Sequence, residues 1–102
     1  MTNTTVALVV RLVAKPGKEE EVASFLAGAL PLARGESFTP VWYALRTAPN
    51  TFWIVDAFAT DADRTKHLTG DIARALMGKA EELLAEPPEI AKADVLAAKL
   101  PV

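Results

Sequence analysis

The spacing of the apolar residues divides the chain into extended and helical segments. Residues Thr4–Ala14 are rich in Val and Leu and alternate weakly, which predicts a strand. Because side chains alternate along a strand, they form two faces: Val6, Leu8, Val10 and Leu12 on one, and Ala7, Val9, Arg11 and Val13 on the other. Both faces are mostly apolar, so we expect water to be excluded from both.

The following segment has helical periodicity. Lys15-Pro16-Gly17 ends the strand, and Glu19, Glu20 and Glu21 then occupy a first helical turn, where carboxylates complement the helix dipole. One apolar stripe recurs at helical spacing and consists of Val22, Phe25, Leu26, Ala29 and Leu30. Because Pro31 has no amide proton to donate, we expect a kink there and an end of the helix before Gly35.

Two strands and a helix start are predicted in the middle of the chain. The strands are Phe38–Arg46 and Thr51–Ala59, joined by the turn-forming residues Thr47-Ala48-Pro49-Asn50. Thr60 suits a helix N-cap, and Asp63 stands where a capping-box acid would be.

The last third of the chain predicts two helices and a strand. The helix after Thr60 should end at Leu68. Thr69-Gly70-Asp71 should interrupt the helical segment, and a second helix should begin there. That helix has one apolar side, made of Ile72, Ala75, Leu76, Ala80 and Leu83. Pro87-Pro88 stops it, and Ile90–Leu100 is predicted to be the final strand.

The order β-α-β-β-α-β predicts an α+β, ferredoxin-like fold: a four-stranded antiparallel sheet with helices on one face. With 102 residues, the chain should form one domain over 1–102. The uncovered sheet face would expose Ala7, Val9 and Val13, too large an apolar area for a monomer. We therefore expect a homodimer in which two sheets pack face to face.

Composition narrows the possible functions. The chain has 11 basic and 13 acidic residues, interspersed and without a basic stripe, so nucleic-acid binding is not expected. The apolar run Val6–Val10 is too short to span a bilayer and does not resemble a signal peptide, which favours a cytoplasmic protein without a membrane partner. With no cysteine and one histidine, a metal site is not expected. Neither a Gly-rich dinucleotide loop nor a phosphate loop is present, so no cofactor is expected.

From Val6 to Leu100 the chain resembles the antibiotic-biosynthesis (quinol) monooxygenase-like proteins of the dimeric α/β-barrel superfamily. The most specific stretch is Asp56-Ala57-Phe58, followed by Thr60-Asp61-Ala62 and His67. Supporting matches are Lys15-Pro16-Gly17-Lys18, Ala33-Arg34-Gly35-Glu36 and Trp42-Tyr43-Ala44-Leu45.

The resemblance implies oxidation of a phenol, quinol or anthrone by dioxygen without flavin, haem or metal. An electron-rich ring, once deprotonated, can itself pass an electron to dioxygen. The protein then needs only to hold the ring, remove a proton and stabilise the anion. On this hypothesis His67 is the base, and Asp56 orients it or holds a substrate hydroxyl. The substrate-binding residues would be Trp42, Tyr43, Trp53 and Phe58 as walls, with Arg11 or Arg46 as a compensating charge.

Other interpretations of the same residues stay open. His67 could serve the last carbonyls of a helix, and Asp56 could form a structural ion pair with Arg11. The aromatic residues could belong to the core or to the dimer interface. The whole chain could be a non-catalytic small-ligand-binding or stress-associated dimer. It could also be a proton-transfer isomerase or decarboxylase acting on a ring compound.

Overall fold

A computed structural model describes residues 3–101. In chain order its elements are β1 (Val6–Val13), α1 (Glu19–Gly28), α2 (Leu30–Gly35), β2 (Val41–Ala48), β3 (Thr51–Phe58), α3 (Asp61–Leu68), α4 (Asp71–Leu83) and β4 (Glu89–Asp94).

The four strands form one antiparallel sheet in the order β2-β3-β1-β4, with the helices on one face. The predicted ferredoxin-like α+β fold is therefore confirmed. Leu8 of β1 and Trp42 of β2 both pair with Asp56 of β3, so these three side chains lie on the same face.

The helix-covered face of the sheet forms the core, as the alternation in β1 predicts. Leu8 and Phe58 are almost fully buried there. The buried core comprises Val10, Leu12, Phe52 and Ile54 of the sheet together with Val22, Leu26, Leu76 and Leu83 of the helices.

The opposite face of the sheet, called here the open sheet face, has no covering layer within residues 3–101. Its most exposed large apolar side chains are Tyr43, at 58%, and Leu45, at 44%. The register places Ala7, Val9, Val13, Val41, Trp53 and Val55 beside them. This face has the apolar character expected from the sequence.

The first helical segment is two helices rather than one kinked helix. α1 ends at Gly28 and α2 begins at Leu30, so the break lies at Ala29, two residues before the expected kink at Pro31. Pro31 lies in the first turn of α2, where the missing amide proton would have no partner in any case. The expected end before Gly35 was one residue too early.

All four strands differ from their predicted bounds, β1 and β3 by at most two residues at an end and β2 and β4 by more. β2 runs on to Ala48, so Thr47 and Ala48 belong to the strand and not to the expected loop. β2 begins at Val41 rather than Phe38, because Thr39 is engaged in a turn with Glu36 and Pro40 cannot donate to a ladder. β4 ends at Asp94 rather than Leu100, because Asp94 pairs with Val6, the first residue of β1, and no strand continues beyond it.

The helix starts and stops follow the sequence closely. The Thr60 side chain accepts a hydrogen bond of 3.1 Å from the backbone nitrogen of Asp63, which confirms the predicted N-cap of α3. α3 ends at Leu68 as expected, and α4 buries Ile72, Leu76 and Leu83. Within residues 3–101, none of the helices is long and apolar enough to cross a bilayer.

Candidate functional site

His67 lies in the last turn of α3 and points into the interior, with only 5% of its surface exposed. Its two ring nitrogens face two acids from different parts of the chain. Nε2 is 2.9 Å from Oδ2 of Asp56 on β3, and Nδ1 is 2.7 Å from Oε1 of Glu36, which precedes β2. The ring also packs at a tilt against Phe58, with the two centroids 5.3 Å apart. These residues form the candidate site.

Glu36 is held in place by its own loop. Its backbone carbonyl accepts a 3.0 Å hydrogen bond from the Thr39 amide, and its Oε1 accepts one of 2.8 Å from the Thr39 hydroxyl. Glu36 is 9% exposed, so its carboxylate is almost wholly removed from water. The loop between α2 and β2 therefore presents Glu36 to His67 in a fixed orientation.

Gly70 gives the Glu36 carboxylate room to approach. A Cβ atom at position 70 would lie 2.9 Å from Glu36 Oε2, closer than real Cβ contacts allow. The φ angle of Gly70 is −87°, which any residue can adopt, so the glycine is needed for space rather than for conformation.

The charge of the cluster depends on whether the His67 ring is protonated. The Nδ1 contact with Glu36 is a hydrogen bond and needs one proton, whereas the Nε2 contact with Asp56 is an ion pair only when the ring carries a second proton. With the ring protonated, Glu36, His67 and Asp56 together hold two protons and a net charge of −1. A buried net charge is costly, and taking up a third proton would neutralise this cluster.

The pKa of His67 is raised above its ordinary value of 6.5. Burial alone would lower it, but the interactions with the Asp56 and Glu36 carboxylates outweigh that effect. The two carboxylates thus favour the protonated form of the ring relative to a free imidazole.

Three buried polar atoms around this cluster are without hydrogen-bond partners among the described residues: Asp56 Oδ1, Glu36 Oε2 and Trp42 Nε1. Asp56 Oδ2 likewise lacks a partner in hydrogen-bond geometry, so its contact with His67 is an ion-pair contact. Unpaired buried polar groups are rare and costly, and their concentration here marks this cluster as the candidate site.

The predicted site residues separate into two groups. Asp56, His67, Phe58 and Trp42 come together on the helix-covered face. The other three predicted residues lie on the open sheet face: Arg11, Tyr43 and Trp53. The aromatic wall expected around one base is thus divided by the sheet.

The expected ion pair between Asp56 and Arg11 is wrong. Arg11 pairs with Trp53 in the β1–β3 register, which puts its side chain on the opposite face of the sheet from Asp56. Its Nη1 instead lies 2.9 Å from Oε1 of Glu86.

Arg46 is also remote from the imidazole. Its guanidinium stacks over Phe52 at 4.9 Å and lies 2.8 Å from Glu20 Oε2. The pKa of Arg46 is raised by its hydrogen bond with Glu20. Because Phe52 is four residues along β3 from Asp56, this cation is about 13 Å from the cluster along the strand.

A cavity of about 930 Å³ lies at the end of the sheet where β2 begins. It is lined by residues 3–5, 40–43, 95–98, 100 and 101. Trp42 and Tyr43 belong to this lining, whereas Asp56 and His67 do not. This cavity is therefore not the pocket expected beside the imidazole, although Trp42 lines it.

The cluster can exchange protons with a group that reaches Asp56. It offers two buried carboxyl groups, a carboxyl oxygen without a partner among the described residues and an imidazole ring between the two acids. Across residues 3–101, no set of three or more His, Asp or Glu side chains is arranged to hold a metal ion.

Sequence reasoning gave no role to Glu36 or Thr39. Glu36 belongs to a matched motif, but nothing in its local sequence distinguishes it from a solvent-exposed acid. The one signal in the sequence is His67 itself: a buried imidazole needs partners for both nitrogens, and Asp56 can serve only one of them.

No family model and no curated protein matches the sequence. Among solved structures, the chain is 56% identical to the NE2512 protein of unknown function from Nitrosomonas europaea. That match covers 97% of this chain and 96% of the other, with a TM-score of 0.95.

Two similar structures at low identity are named as candidate antibiotic biosynthesis monooxygenases. The one from Nitrosomonas europaea is 18% identical, covers 90% of this chain and 99% of its own, and has a TM-score of 0.80. The one from Bordetella bronchiseptica is 17% identical, covers 93% and 100%, and has a TM-score of 0.76. At these identities the likeness establishes a shared fold.

Proposed function

The chain belongs to the same family as the NE2512 protein of unknown function, and on that premise we propose that it is a cofactor-independent monooxygenase. Its substrate would be an aromatic hydroxyl compound, such as a phenol, quinol or anthrone, and its oxidant dioxygen. The fold shared with candidate antibiotic biosynthesis monooxygenases supports this proposal.

The position of Trp42 is the observation that most strongly supports it. Trp42 lines the cavity and is also the direct cross-strand neighbour of Asp56. An aromatic ring in the cavity would pack against the Trp42 indole. Rotation of that indole would open a path along which the substrate hydroxyl could reach Asp56 Oδ1. The unpaired Nε1–H of Trp42 can donate to the same hydroxyl oxygen.

The chemistry needs a proton acceptor and no external reductant. Asp56 Oδ1 accepts the substrate proton, which neutralises the cluster, while the adjacent His67 stabilises the anion formed. The electron-rich anion reduces dioxygen. One oxygen atom enters the ring, as a quinone carbonyl for a phenol or anthrone and as the hydroxyl of a hydroxyquinone for a quinol. The other oxygen atom leaves as water with two hydrogens from the substrate. The substrate supplies all four electrons.

The residues on the open sheet face belong to a second part of the proposal. Exposed Tyr43 and Leu45 flank the half-buried Val9, Val55 and Trp53, an apolar area that a second copy of the chain would cover. In such a homodimer, Tyr43 would close the cavity at the interface, because it lies both on that face and in the lining.

Oxygen uptake with a panel of quinols and anthrones tests the function. The protein should consume dioxygen with no added flavin or metal. Asp56→Asn, which removes the accepting oxygen while keeping the shape, should lower turnover by about 100-fold or more. Asp71→Asn is the matched control, because it makes the same change at an exposed acid, paired with Arg74 on α4 and outside the cluster. No uptake with any of these substrates would oppose the proposal.

A second candidate is a non-catalytic binder of small aromatic ligands. It is favoured by one observation: neither Asp56 nor His67 lines the cavity. Tight binding without oxygen consumption would support this alternative, with binding measured by the quenching of Trp42 fluorescence. A Trp42→Phe variant that loses the quenching would place the ligand in the cavity.

A further inference from the structure

We infer that Glu36 is a positioning residue of the proposed site: it holds the His67 ring at Nδ1 and so keeps Nε2 beside Asp56 Oδ2. The consequence for turnover rests on the proposed function, whereas the orientation of the ring does not.

The geometry gives the ring only one stable orientation. Glu36 and Asp56 approach from opposite ends of the imidazole, one from the loop before β2 and the other from the centre of the sheet. They are the only acids within ion-pair distance of His67 among the described residues. Without Glu36, nothing of comparable strength would hold Nδ1, since the Thr39 hydroxyl is 3.4 Å away.

The surroundings of Glu36 fit a positioning role better than a simple tie between loop and helix. A carboxylate that only linked the loop to α3 would need one oxygen for that contact. Here the whole carboxylate is buried, and its second oxygen lacks a partner in the described residues. Gly70 leaves the space that this second oxygen occupies. A neutral side chain such as glutamine could make the Nδ1 and Thr39 contacts at a lower desolvation cost. The acid at position 36 is therefore best explained by its effect on the His67 ring.

The charge of Glu36 also determines what His67 can do. A carboxylate at each end favours the doubly protonated ring, which leaves Asp56 rather than the imidazole to accept the substrate proton. If Glu36 were neutral, the ring could lose a proton and turn into a competing base.

Glu36→Gln separates charge from shape. The amide oxygen can still accept from Nδ1–H and from the Thr39 hydroxyl, so the fold should be kept while the charge is lost. Because His67 is the only histidine, nitrogen-15 NMR of a protein without a histidine tag reports its two ring nitrogens without overlap. We expect the pKa of His67 to fall in this variant, and the pH profile of turnover to move with it.

Two further variants complete the experiment. Glu81→Gln removes an exposed acid on α4 and should leave the His67 titration unchanged. Gly70→Ala keeps the Glu36 charge but displaces its carboxylate, so it should change the Nδ1 shift even if Glu36→Gln fails to fold. A folded Glu36→Gln protein with the wild-type titration and ring shifts would overturn the inference. If those shifts change but no substrate is oxidised, the inference stands and the proposed function fails.

Discussion

Trp42 and Asp56 stand directly opposite each other on β2 and β3, each with a buried polar atom that has no hydrogen-bond partner in the described chain. The indole Nε1 is a donor and the carboxylate Oδ1 is an acceptor, so together they match a hydroxyl group, which can both accept and donate. A side-chain pair kept only for packing would not leave both atoms unpaired.

This relationship predicts that Trp42→Phe will lower kcat/KM clearly while changing the free energy of unfolding only slightly. The variant keeps an aromatic ring against the core and removes a buried donor that has no partner, so the free energy of unfolding should change by about 1 kcal/mol or less. Loss of one hydrogen bond to the substrate should lower kcat/KM about tenfold. Urea denaturation and oxygen uptake measure the two effects. A stability loss of several kcal/mol with unchanged uptake would assign Trp42 to the core alone.

The β-branched and apolar residues of β1 and β3 made the sheet predictable, although β1 alternates only weakly in sequence. Leu8 and Phe58 had to share the buried face once both segments were identified as strands. The end of β4 at Asp94 was not predictable, because it depends on β1 beginning at Val6, a tertiary relation with no signal in residues 95–100.

The candidate site was predictable only in part, and for a related reason. Asp56 and His67 were proposed together, and they do lie in contact. Which other residues contact them depends on the strand register and on the course of the loop before β2. The register places Arg11 on the opposite face of the sheet, and the loop places Glu36 against His67. Neither property is encoded in local sequence patterns.

Asp56→Ala should be among the most destabilising single substitutions in this chain. Asp56 is 1% exposed, and its removal leaves the buried His67 without one of its two acids. Breaking a buried pair in this way typically costs about 3–5 kcal/mol. The matched control is Glu82→Ala, which removes an exposed acid 3.9 Å from Lys79 and should cost about 0.5 kcal/mol or less. Urea midpoints of the two variants test this; similar midpoints would contradict a tightly coupled cluster.

Stability should fall as the pH rises above neutrality. The folded protein holds the His67 proton more tightly than the unfolded chain does, because the pKa is raised on folding. This contribution is fully present below about pH 6.5 and is lost as the pH rises through the folded pKa. The free energy of unfolding should therefore be lower at about pH 9 than at about pH 6.

His67→Gln is the control for that pH dependence. Since the chain has no cysteine and no other histidine, few other groups titrate in this range, and the variant should lose most of the slope. Chemical denaturation of both proteins at the two pH values makes the comparison. A wild-type protein that becomes more stable with rising pH would show that His67 is held neutral.

The open sheet face predicts a dimer that a single charge should disrupt. Val55 lies at the middle of β3, between Val9 and Tyr43 of the neighbouring strands, so Val55→Lys would put an ammonium at the centre of the proposed interface. Burying that charge without a partner is costly, and we expect the variant to sediment as a monomer at micromolar concentration where the wild type sediments as a dimer. Ala62→Lys, at an exposed position on α3, is the matched control and should leave the dimer intact. A wild-type protein that sediments as a monomer would contradict the face-to-face arrangement, and Tyr43 would then be a solvent-exposed edge of the cavity rather than its interfacial wall.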